Sequence, residues 1–170
     1  LTLASKVAEK NPSLVLIVVC PFINLCRQWI REMAAFGLIP VAAFEGRDRW
    51  QTLLEEGYQR VAVGLTPIHA IVATNATFMS ESFQARLQPR VASGAFHHLL
   101  IADEVHNLGA PGIKAKLPDG ITLRLGLSAT PERHYDPVGT QTVLDYFGGE
   151  IFTYTLDQAI AARSNGQAPW

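Results

Sequence analysis

Three places along this 170-residue chain put polar residues at the end of an apolar run, where chemistry can be done. In Leu99-Leu100-Ile101-Ala102-Asp103-Glu104-Val105-His106, four apolar residues deliver two adjacent carboxylates whose side chains point differently. Such a pair suits a hard cation such as Mg²⁺, held through water, plus a base for an attacking water. An acidic pair in that place also serves to cap the next helix or turn, and these residues alone leave both readings open. Leu125-Gly126-Leu127-Ser128-Ala129-Thr130 ends a second run 25 residues after Asp103, and Thr74 ends the run Ile71-Val72-Ala73. Ser128-Ala129-Thr130 by itself reads as a turn before Pro131. The conjunction is more specific than its parts. Two polar strand ends separated by about one crossover can be neighbours, and His106, three residues beyond Asp103, lies within reach of both.

The elements that must position these residues are legible as an alternation. Leu1 to Lys10 reads as a helix stopped by Asn11-Pro12-Ser13. Leu14 to Cys20 is apolar on both faces, as a central parallel strand should be. Helices are expected over Ile23–Phe36, with Gly37 as its stop, over Arg47–Val63 and over about Phe78–Ala92. Strands are expected at Pro40–Phe44, His69–Thr74, Leu99–Asp103, Leu123–Ser128 and Glu150–Tyr154. Asp145 to Gly149 reads as a helix end, His134 to Pro137 as a loop, and Ser164 to Trp170 as a loose tail. The pattern predicts an α/β domain with a mostly parallel sheet and flanking helices. In open parallel sheets ligands bind beyond the carboxyl ends of the strands, where the three polar positions fall.

Composition removes several classes. With 48% hydrophobic and 17% charged residues the chain is no disordered tail, and 170 residues suit one domain. No apolar run approaches the roughly 18 residues of a membrane span, and no signal-peptide layout is present. Cys20 and Cys26 are the only cysteines, too few for a disulfide framework or a structural zinc site, which favours a reduced, cytoplasmic setting. The net charge of −1 gives no whole-chain argument for nucleic acid, so a polyanion would have to be gripped locally.

Four segments then resemble, in order, the motifs of superfamily 2 helicases and translocases. Asp103-Glu104-Val105-His106 is similar to their D-E-x-H form of the Walker B motif, and Ser128-Ala129-Thr130-Pro131 to their S-A-T motif. Pro21 followed by Leu25, Gln28 and Trp29 resembles the P-x-x-x-L-x-x-Q-W form of an early nucleic-acid motif, and Ile71 to Thr74 the strand ending in a backbone-contacting Thr. The variants look most like the group of restriction-enzyme motor subunits and excision-repair helicases. The resemblance implies a RecA-like P-loop NTPase fold using Mg²⁺ and ATP, with Asp103 holding the metal through water and Glu104 activating water. It implies that His106, Ser128 and Thr130 couple nucleotide state to nucleic-acid grip. Pro21, Gln28 and Thr74 would line the strand track, with double-stranded DNA the favoured nucleic acid. Where the family often has Thr or Ser after proline, this chain has Phe22, which removes a hydroxyl contact and offers an aromatic face instead.

The sequence holds no G-x-x-x-x-G-K-[ST] phosphate loop. The glycines of Gly109 to Lys114 lack its spacing and read as a surface loop. Because Leu1 to Lys10 occupies the place of the helix after that loop, residues 1–156 are expected to be a RecA-like domain starting just beyond it. Residues 157–170 would then lead to a second RecA-like domain. On this reading the chain alone binds Mg-ATP weakly or not at all, and it exposes sheet through which copies could associate. Two alternatives compete: a RecA-like scaffold without catalysis, and a metallohydrolase built on His97, His98, Asp103, Glu104 and His106. The latter is disfavoured by the strand of about 16 Å that separates the histidine pair from the acidic pair. Trp29, Phe36 and Trp50 read as packing residues, and Arg31, Arg47 and Arg49 as solvated.

Overall fold

The run Leu14–Cys20 (β1) lies at the centre of a sheet and has every residue buried. The computed structural model describes residues 1–109, 117–129, 136–155, 157, 158, 160 and 161. In it, helix α1 (Thr2–Lys10) precedes β1, and α2 (Ile23–Ala35), β2 (Val41–Ala42), α3 (Arg47–Ala62) and β3 (Ile68–Thr74) follow. A single-turn helix α4 (Asn75–Phe78), α5 (Glu81–Ser93), β4 (His97–Ala102), a 3₁₀ turn (Val105–Gly109), β5 (Leu123–Gly126) and α6 (Pro137–Phe147) complete the described elements. The five strands are all parallel, in the order β2-β3-β1-β4-β5.

Strand pleating explains why β1 is apolar on both faces. Val15, Ile17 and Val19 point to a core with Trp50, Leu54 and Tyr58 of α3 and Phe83 and Leu87 of α5. Leu14, Leu16, Val18 and Cys20 point the other way, against Ala4 of α1 and Cys26 and Met33 of α2. Helices therefore cover both faces, as a parallel sheet requires. Shortening a fully buried side chain such as Ile17 to Ala would cost about 2–5 kcal/mol. No described helix is long and apolar enough to cross a membrane.

The expected alternation is present with four differences. The expected helix over Phe78–Ala92 is two helices, because Ser80 starts a new one by accepting the Phe83 N–H. The strand expected at Pro40–Phe44 shortens to Val41–Ala42, and the one expected at Leu123–Ser128 ends at Gly126. Asp136, placed in a loop, instead caps α6 by accepting the Gly139 N–H at 2.8 Å, with Pro137 as its first residue. Glu150–Tyr154 is not a strand. Gly148 and Gly149, both at positive φ (88° and 85°), turn the chain out of α6, and among the described residues no strand pairs with the segment. Its β-branched and aromatic residues favour a partnered, half-buried surface and here lack one. The segments 110–116 and 162–170, which include most of the expected glycine loop and the expected tail, lie outside the described residues.

Two buried histidines sit beneath α3. His98 Nε2 lies 3.1 Å from the Tyr58 hydroxyl, and His69 is accommodated because residue 57 is glycine: a Cβ there would fall 2.0 Å from its ring. Burial pushes both imidazoles down to about 4, helped by the Arg90 charge. The unfolded chain therefore binds more protons than the folded one between pH 6.5 and about 4. Stability is then fully present above pH 6.5 and falls as pH drops through that window. Urea midpoints between pH 7 and 4 should show this slope, and replacing both residues (His69→Gln, His98→Gln) should flatten it; an unchanged slope would contradict the assignment.

Candidate functional site

Register brings the polar strand ends to one rim of the sheet. Cys20 of β1 pairs with Thr74 of β3, Val19 with Ala102 of β4, and Ala102 with Gly126 of β5. The ladder continues one residue further: Asp103 N–H donates to Val19 O and Leu127 N–H to Ala102 O, each at 2.8 Å. Val105 N–H then donates to Leu127 O at 2.9 Å, tying the turn after β4 to the exit of β5.

Asp103 is half-buried and held at both oxygens. Its Oδ1 accepts the Glu104 backbone N–H at 3.0 Å, and its Oδ2 accepts the Trp29 indole N–H at 2.8 Å from α2. Glu104 has φ of +48°, a left-handed conformation that costs a side-chain-bearing residue about 1–2 kcal/mol. The turn over-determines it, because the Glu104 carbonyl accepts both the backbone N–H and the side-chain amide of Asn107, each at 3.0 Å. Backbone strain held this firmly concentrates at functional sites.

His106 joins the two motifs. Its Nδ1 is 3.0 Å from Ser128 Oγ and 3.4 Å from Glu104 Oε2. Asn107 Nδ2 lies 3.1 Å from His106 Nε2. An amide nitrogen needs an acceptor, so the neutral ring consistent with this network carries its proton on Nδ1 and presents it to Ser128 and Glu104.

A cleft of about 320 Å³ opens beside Asp103, lined also by Leu1, Gln28, Trp29, Glu32 and Phe36. A carboxylate oriented at both oxygens on the wall of an open cleft suits Mg²⁺, which keeps most of its water and takes only one or two protein carboxylates. Among the described residues no three His, Cys, Asp or Glu side chains converge into a metal cage. His97 and His98 open β4, at the far end of the strand from Asp103. Behind the site, the buried Cys26 thiol holds that of Cys20 well above its usual range, with burial and the Asp103 charge acting in the same direction.

Sequence reasoning gathered Asp103, Glu104, His106 and Ser128, and the structure brings all four together. Pro21 and Thr74 follow from adjacent strand ends, with Gln28 exposed one residue before Trp29. Thr74 is already engaged: its hydroxyl accepts the Thr77 N–H at 3.2 Å and donates to Thr77 Oγ1 at 3.0 Å, capping α4. Thr130 lies outside the described residues. Two further residues join the site: Trp29, which belongs to the Q-W motif but reads as a packing residue, and Asn107, whose one sequence signal is adjacency to His106. Trp50 is core, as expected, while Phe36 and Phe22 are largely exposed.

A model of the type III restriction enzyme res subunit family matches residues 1–133. The chain belongs to that family. The match spans the strands and the turn that build this rim, and it gives the chain a RecA-like fold and a place among helicase-like ATPases of superfamily 2. No curated protein matches the chain.

The backbone strain at Glu104 predicts an unusual result. Glu104→Gly removes the steric penalty without touching the backbone bonds around it. It should leave stability unchanged or raise it by up to about 1 kcal/mol, read from the urea midpoint. A loss of stability would mean that the Glu104 side chain holds the fold together.

Proposed function

We propose that this chain carries the water-activating and coupling half of a DNA-translocating ATPase site, working against a second RecA-like domain on double-stranded DNA. One observation carries the reading: His106 Nδ1 within 3.0 Å of Ser128 Oγ and 3.4 Å of Glu104 Oε2, which links the acidic motif to the S-A-T motif through one ring. Membership of a helicase-like ATPase family supports it.

In this reading Asp103 is the residue that would hold Mg²⁺, through water, its orientation set by Trp29 and the Glu104 amide. The bound ion would neutralise charge on the phosphate oxygens. Glu104 orients a water for attack on the γ-phosphorus and takes its proton at the carboxylate as the P–O bond to ADP breaks. His106 meets both the Glu104 carboxylate and the Ser128 hydroxyl at the same Nδ1, so a shift of the strand end carrying Ser128 repositions the base. Thr130 acts with Ser128 in that coupling. Pro21, Gln28 and Thr74 mark the nucleic-acid side. With the Thr74 hydroxyl committed to its cap, the Thr77 hydroxyl and exposed Phe22 and Gln28 are better placed to meet the strand. These 170 residues hold no phosphate-binding loop, so the reading assigns them the metal-facing and water-facing side of the site and not the grip on the nucleotide phosphates.

The test is Glu104→Gln in the full-length protein. Losing the base should lower ATP turnover on the order of 10²–10⁴-fold while nucleotide still binds. Turnover at the wild-type rate would overturn the assignment.

A further inference from the structure

The bond between Trp29 and Asp103 joins residues 74 positions apart, on different elements, at 2.8 Å. Trp29 sits half-buried on α2, packed over the core face of β1 and β4, and its indole has one donor, which goes to Oδ2. The neighbouring residue Gln28 is exposed and shares with Trp29, Glu32 and Phe36 the cleft that Asp103 closes. Among the described residues, α2 thus holds this carboxylate from outside its own turn, and the same helix offers polar and aromatic side chains to whatever enters the cleft. A displacement of α2 changes the orientation of Asp103 directly, without passing through the sheet.

We propose that Trp29 is a positioning residue that holds the Asp103 carboxylate for its cation and transmits nucleic-acid contact on α2 to that carboxylate. The proposal rests on Asp103 being the metal-holding residue. Because groups that hydrogen-bond a ligating carboxylate tune its metal affinity about 10–100-fold, the bond is large enough to serve as a control point. The coupling is reciprocal: nucleic acid that moves α2 alters the Mg²⁺ requirement, and Mg²⁺ alters nucleic-acid affinity by the same factor.

The experiment measures, in the full-length protein, binding of a fluorescent ATP analogue as a function of MgCl₂, with and without a double-stranded oligonucleotide. Trp29→Phe keeps an aromatic side chain on α2 but removes the N–H donor together with the pyrrole ring that carries it. It should raise the half-saturating Mg²⁺ concentration roughly tenfold, abolish its response to the oligonucleotide, and leave nucleotide affinity in EDTA unchanged. A general loss of structure would instead lower affinity in EDTA as well, and that result counts against a positioning role. Asp103→Asn separates the two claims. If it shifts the Mg²⁺ curve while Trp29→Phe does not, the positioning role is wrong and the metal assignment stands; if it shifts nothing, both fall. A second readout needs no change at Trp29. In ¹⁵N-tryptophan-labelled protein, the indole N–H signal displaced by Asp103→Asn should also move on adding MgCl₂ alone, and an unmoved signal overturns the proposal.

Discussion

The parallel ladder centred on β1 is the constraint from which the rest follows. Because β3, β1, β4 and β5 pair in register at this end, four chain exits are forced onto one rim, and three of them bring the polar residues Thr74, Asp103 and Ser128 there. Two backbone bonds extend the ladder past its formal end, Asp103 to Val19 and Leu127 to Ala102. They fix where the acidic turn and Ser128 begin. A parallel sheet buried on both faces cannot slip by one residue without exposing a whole row of side chains, so the core that stabilises the fold also fixes the site's geometry.

On that rim the structure accepts local cost for precision. Glu104 takes a left-handed backbone, and Asn107 with the 3₁₀ turn keeps it there. The result aims adjacent carboxylates in different directions: Asp103 toward α2 and the cleft, Glu104 toward His106. One side faces α2 and the cleft; the other faces His106 and, through it, the S-A-T strand end. A site split in this way can sense two partners through separate contacts.

How much of this was legible in the sequence follows from how local each signal is. Strands apolar on both faces, glycine stops and the D-E-V-H and S-A-T strand ends are short-range patterns, and the sheet and the Glu104–His106–Ser128 group emerged from them. The Trp29–Asp103 bond did not, because an indole at helical spacing announces packing, and its single polar atom finds a partner only through tertiary structure. The Thr74 cap was hidden for the same reason: a threonine at a strand end reads alike whether its hydroxyl faces a ligand or the next helical turn. Glu150–Tyr154 misled because β-propensity describes fit to a neighbouring strand, and pattern alone does not say whether one is there.

The central claim is that His106 makes Glu104 and Ser128 act as a unit. A double-mutant cycle on His106→Ala and Ser128→Ala, read as nucleic-acid-stimulated ATP hydrolysis by the full-length protein, tests it most directly. The account predicts strong non-additivity, with the double variant no worse than the worse single one and an interaction energy of about 1–3 kcal/mol. Independent, additive losses would contradict it.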